Sequence, residues 1–140
     1  MALDEIQQKF RGKWKLCRSE NFEDFLKEMG VNVVARKLAA AGKPEQEVEV
    51  KDGKIRIVYK TGFWDREDNF NLDEEFENET NKVKHKVVGS YKDGKLETVA
   101  TPIDSELPPQ RTVRDVVDGE MVMTIHARDV VCTRYFKRLQ

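Results

Sequence analysis

A chain of 140 residues is long enough to bury a core without disulfides or metal ions to hold it, and its length fits one domain, 1–140. Lysine plus arginine (25) and aspartate plus glutamate (26) leave a formal net charge of -1, which supplies no general pull toward nucleic acid, and 39% hydrophobic residues argue against a disordered chain. The two cysteines, Cys17 and Cys132, stand outside any spacing that marks a disulfide framework or a zinc site, and they read as reduced thiols of an intracellular protein.

The chain opens with a polar leader that carries Asp4 and Glu5 where a signal peptide needs an apolar run. No later stretch reaches the length required to cross a membrane, so a cytosolic protein is expected. Phe10, Trp14 and Leu16 then fall on alternating positions broken by Gly12, which predicts a strand over 9–17 with a kink or bulge at the glycine. Asn21 is placed to cap a helix in which Phe22, Phe25, Leu26 and Met29 recur on one face until Gly30 stops it. Asn32 caps a second short helix over 33–41, ended by Gly42-Lys43-Pro44. The pair reads as a helix-turn-helix hairpin whose apolar face must rest on another element.

From Glu45 onward the pattern becomes strand-like. Asp52-Gly53, Asp93-Gly94 and Asp118-Gly119 each stand between strand-forming runs, and Asp-Gly supplies the positive backbone angles of a tight hairpin. Strands are predicted over 47–51, 55–59, a segment around Phe63 and Trp64, 68–72, 82–88, 96–101, 112–117, 121–127 and 130–137. With the first strand this makes about ten, a meander that tends to close and so remove its edges. The prolines of 102–110 exclude a central strand and predict an extended loop.

The last strand poses a chemical problem. Alternation puts Cys132, Arg134 and Phe136 on one side, so an inward face carries a guanidinium into an apolar interior. A buried charge of that kind needs an anionic partner, either within the protein or in what it binds.

Taken together, the runs 10–16, 19–31, Ala35-Arg36-Lys37, Lys43-Pro44 and Val131-Cys132-Thr133-Arg134 closely resemble the intracellular fatty-acid-binding proteins, and the similarity extends over about 10–138. The resemblance implies an all-β fold: a ten-stranded antiparallel up-and-down β-barrel capped by the helix-turn-helix lid, around a cavity for one long-chain fatty acid or related lipid. It further implies a carboxylate site of two arginines and a tyrosine. Arg134 matches the second arginine; Arg114 falls on the first, with Arg111 close enough to leave the register open. Phe136 stands where the family has tyrosine, which removes a hydroxyl donor.

Phe22, Phe25, Leu26, Val31, Ala35 and Ala39 on the helices and Phe63 near a strand turn match portal and chain-lining positions, although the same residues could simply glue the lid to the barrel. Met123 and Ile125 are expected on the opposite wall, and Trp14 in packing at the closed end. Lys27, Arg36 and Lys37 resemble positions used for membrane contact, but interleaving with Glu23, Asp24 and Glu28 favours a solvated helix face. His85 and His126 lack a metal-ligand spacing, and no catalytic constellation is present, so neither metal, cofactor nor enzymatic activity is expected. The expectation is a monomeric carrier of a long-chain fatty acid, with a retinoid or other bulky ligand as the first alternative and a protein-interaction module with a vestigial cavity as the second.

Overall fold

A computed structural model describes residues 1–62, 65–80 and 82–139. The elements run α1 (Ala2–Phe10), β1 (Gly12–Glu20), α2 (Phe22–Glu28), α3 (Val33–Ala41), β2 (Glu45–Lys51), β3 (Lys54–Lys60) and β4 (Arg66–Phe70). They continue with β5 (Phe76–Thr80), β6 (Val83–Lys92), β7 (Lys95–Pro102), β8 (Gln110–Val117), β9 (Glu120–Ala127) and β10 (Val130–Arg138). All ten strands form one antiparallel sheet in the order β4-β3-β2-β1-β10-β9-β8-β7-β6-β5. The pairing of β1 with β10 bends this meander into a barrel, leaving β4 and β5 as its two free edges.

The Asp-Gly pairs make the hairpins expected of them. Asp52 and Gly53 have φ of 54° and 76°, Asp93 and Gly94 53° and 79°, and Asp118 and Gly119 51° and 82°. Two successive positive angles match the right-handed twist of the flanking strands. Side chains span the seam between the free edges instead of a backbone ladder. Phe70 of β4 stacks on Phe76 of β5 with centroids 4.9 Å apart, Asn78 Nδ2 donates to Asp68 Oδ2 at 3.4 Å, and Arg66 donates to the Thr80 hydroxyl. Gly89 accommodates the Phe70 ring, because a Cβ there would lie 2.5 Å from Phe70 Cε2.

Three features depart from the sequence reading. The leader is helical: α1 carries Ile6 and Phe10, one turn apart and both fully buried, and it closes the barrel end formed by the three Asp-Gly hairpins. Lys9 Nζ donates to Gly94 O at 2.6 Å and pairs with Asp115 at 2.7 Å, while Gln7 Oε1 accepts from Val50 N at 2.7 Å. Phe10 therefore ends a helix rather than opening a strand. Gly12, at φ 132°, is the first strand residue, and the bulge falls between Leu16 and Arg18.

The second departure is β5. It lies at 76–80, where no strand is predicted, because its inward residues after Phe76 are the polar Asn78 and Thr80. The strand expected around Phe63 and Trp64 centres on two residues outside those described. Asn21 is the third departure. It precedes α2 in a left-handed conformation with no side-chain cap, and its amide donates instead to Val131 O at 3.2 Å. Asn32 caps α3 as expected, accepting from Ala35 N at 2.9 Å. Trp14 is fully buried at the α1 end, donating to Phe10 O at 2.9 Å beneath the Arg138 guanidinium.

Candidate ligand-binding site

Strand parity turns Arg114 of β8 and Arg134 of β10 into the barrel, where they are 1% and 7% exposed. Both pair in register with Met123 of the intervening β9. Strands lie about 4.8 Å apart, so the two arginine backbones stand roughly 10 Å from one another with the methionine between them. Arg111 is exposed and pairs with Glu97, so the inward arginine of β8 is Arg114.

Each buried guanidinium is held by neutral groups. Arg114 Nε donates to Gln46 Oε1 at 3.1 Å and Nη2 to the Tyr59 hydroxyl at 2.6 Å, while Nη1 is buried with no hydrogen-bond partner among the described residues. Arg134 Nε donates to Ser19 Oγ at 3.0 Å, and its guanidinium lies 3.7 Å from the centre of the Phe22 ring. Among the described residues neither is within salt-bridge distance of a carboxylate. Burial pushes the Arg134 pKa down to about 10 against a small opposing pull from Cys132, and burial likewise raises the Cys132 thiol to about 11. A third arginine, Arg66, pairs with Asp68 at 3.1 Å and lies over Tyr59, 4.2 Å from the ring centre. Burial opposes its charge, but Tyr59 and Asp68 outweigh burial and raise its pKa.

Two cavities meet at Gln110. The outer one, about 160 Å³, lies beneath the lid, lined by Phe22, Phe25, Leu26, Met29, Val31 and Ala39, with Arg134 and His85 on the barrel wall. Leu107 reaches into it from the loop between β7 and β8 and lies against Gly30. The inner one, about 150 Å³, is lined by Tyr59, Arg66, Phe70, Asn78, Arg114, Met123 and Ile125 among others. Together they approach the lower end of small-molecule sites, about 300–1,000 Å³.

A model of the lipocalin and cytosolic fatty-acid binding protein family matches residues 11–139. The chain belongs to this family. It is similar to cellular retinoic acid-binding protein 2 of Bos taurus, with 38% identity over 134 residues covering 92% of this chain and 97% of that protein. Among solved structures, the REP1-NXSQ fatty acid transporter superposes with a TM-score of 0.84 at 34% identity, covering 93% of this chain and 96% of that one. Apo lipid binding protein 8 of Caenorhabditis elegans superposes with a TM-score of 0.89 at 25% identity, covering 94% and 96%.

In this member of the cytosolic fatty-acid binding protein family, Phe22, Phe25, Leu26, Val31 and Ala39 line the outer cavity, and Met123 and Ile125 the inner one. Ala35 is half-buried against the core and lines neither. Phe136, 2% exposed, pairs in register with Leu16 and Met121 and packs within the core rather than lining either cavity. Phe63 lies outside the described residues. Sequence reasoning missed Tyr59, Gln46, Asn78 and Gln110. Tyr59 shares strand parity with the buried Ile55 and Ile57, a signal sufficient to turn it inward.

Proposed function

We propose that the chain reversibly binds a long-chain fatty acid inside the barrel as a monomeric, non-enzymatic carrier, with α2 and α3 as the lid. The observation that carries this reading is Arg114, a buried guanidinium with Nη1 unpartnered and no carboxylate paired to it among the described residues. A ligand carboxylate would satisfy Nη1 and neutralise the charge where an unpaired ion is costly. Because the Tyr59 hydroxyl accepts from Arg114 Nη2, its own hydrogen is free to donate to the same carboxylate. Tyr59 thus takes the part of the phenol absent at Phe136. Arg134 lies across Met123 and adds a second positive charge toward the outer cavity, whose aromatic and aliphatic wall suits a hydrocarbon chain.

Retinoic acid is the second reading, favoured by the similarity to cellular retinoic acid-binding protein 2. Organic extraction of the purified protein followed by mass spectrometry distinguishes the two. Calorimetric titration of the delipidated protein with stearic acid, retinoic acid and their methyl esters tests the head-group assignment. Acids binding at least roughly tenfold tighter than esters is the expected result, and equal affinities would remove the role assigned to the arginines.

The lid also favours transient membrane contact. Val33, Val34 and Leu38 of α3 are 54%, 67% and 54% exposed, whereas Lys37 is paired with Glu23 and Arg36 donates to Val31 O. Apolar side chains, more than the basic ones, would meet a lipid surface. Transfer of a fluorescent fatty acid to vesicles slowed by Val34→Ser with Leu38→Ser is the expected result; an unchanged rate would sink this contact.

A further inference from the structure

The wall opposite the β10 arginine holds a second set of unsatisfied polar atoms, different in kind from Arg114. His85 of β6 and Asn78 of β5 are register partners, and both face inward. His85 is 4% exposed, lines the outer cavity, and leaves Nε2 buried without a hydrogen-bond partner among the described residues. Asn78 lines the inner cavity and leaves Oδ1 in the same condition. Its amide orientation is fixed by the neighbour: Nδ2 donates to Asp68 Oδ2, and a flipped amide would set oxygen against carboxylate. Burial, reinforced by the charge of Arg66 and opposed by the backbone of Val83, favours the neutral ring, and in the tautomer that leaves Nε2 unprotonated this atom is an acceptor.

Both orphan atoms therefore lack a donor. Gln110 stands where the two cavities meet, and its side chain forms no hydrogen bond among the described residues, so its amide can donate in turn. A hydroxyl at the junction offers its one hydrogen to one of these acceptors and its oxygen to the Gln110 amide; a bare methylene leaves them unsatisfied, and a ketone offers no hydrogen.

We propose that His85, Asn78 and Gln110 form a second polar subsite that recognises a hydroxyl group on the chain of the bound lipid acid, so that hydroxylated acids are preferred over their unsubstituted and keto counterparts. The inference rests on the reading of the barrel as a lipid-acid site, with the carboxylate held by the arginines and the chain crossing to the β5–β6 wall.

The test is calorimetric titration of the delipidated full chain with three sets of probes. These are stearic acid, a series of its monohydroxy derivatives in which the hydroxyl is stepped along the chain, and the matching keto acids. One hydroxyl position is expected to bind roughly three- to tenfold tighter than stearic acid, the range for one net hydrogen bond, with no gain for the ketone at that position. Whichever of His85→Phe and Asn78→Leu removes the acceptor of the hydroxyl hydrogen should reduce the ratio of hydroxy acid to stearic acid affinity toward one, and a ratio unchanged in both variants would overturn the subsite. Two variants on different strands keep the test informative should one fail to fold. If stearic acid binds and no hydroxylated isomer binds better, solvent alone satisfies these atoms and the subsite is overturned while the carrier reading stands. If none of the acids binds, both fall.

Discussion

Arg134 is held in the barrel at a cost that can be read from its protonation equilibrium. Burial lowers its pKa from the ordinary arginine value to about 10, which at about 1.36 kcal/mol per tenfold change amounts to ~3 kcal/mol against the charged form. For a base with a depressed folded pKa, this penalty is in full force at every pH below the folded value. It fades only as pH rises from there toward the ordinary range. Against it stand the hydrogen bond to Ser19 and the contact with the Phe22 ring, each worth about 1 kcal/mol. Replacing the side chain by an uncharged one of similar reach, Arg134→Met, should therefore make the delipidated protein roughly 1 kcal/mol more stable. The same change should weaken stearic acid binding by ~2–5 kcal/mol, as when one member of a buried charge pair is removed. Urea unfolding followed by tryptophan fluorescence gives the first quantity and titration calorimetry the second. Stability falling by 1 kcal/mol or more with affinity unchanged would show that Arg134 serves the fold, and would refute the reasoning.

Tyr59→Phe removes the hydroxyl that accepts from Arg114 and should weaken acid binding by ~1.5–3 kcal/mol with little effect on the ester, measured by the same titration. Burial, with the charge of Arg66, depresses the His85 pKa below its ordinary 6.5, so the unfolded chain takes up the proton first. Stability of the delipidated protein should accordingly decline as pH falls below about 6.5 and level off below the folded value, and His85→Phe should flatten that decline in urea titrations across mildly acidic pH. Phe10→Ala empties a fully buried position beneath α1 and should cost roughly 3–5 kcal/mol in urea unfolding; a loss under 1 kcal/mol would show that α1 is not part of the cooperative core.

The parts of the fold legible in the sequence are those fixed by local chemistry. Asp-Gly demands a tight hairpin wherever it stands between strand-forming runs, and three such pairs account for β2–β3, β6–β7 and β8–β9. Arg134 was legible through its parity with Cys132. What escaped had inward faces that do not look apolar. In β5, Asn78 and Thr80 face the cavity, and a strand with a polar inner face carries no alternation to detect. The helix α1 escaped for another reason: only Ile6 and Phe10 are fully buried in it, and the Lys9 contacts that seat it are made with residues more than eighty positions away. The left-handed Asn21 shows the same limit, since its preferred role as a cap yields to a bond with Val131, visible only once β10 lies beside the lid. At the site, the arginines could be read individually, but their neutral partners Gln46, Tyr59 and Ser19 come from three other strands.

The seam between β4 and β5 gives the barrel one wall of different mechanical character. Elsewhere, widening the interior means stretching a ladder of backbone hydrogen bonds that act together. Here, among the described residues, the two edges are joined by a ring stack, one amide and one guanidinium, and side chains can rotate to new partners while every strand keeps its own pairing. Neither cavity alone is as large as a typical ligand site, and the added room can be gained along this line at the expense of a few side-chain contacts. The barrel is stiff in nine joints and compliant in the tenth, and the compliant joint carries Asn78 with His85 beside it.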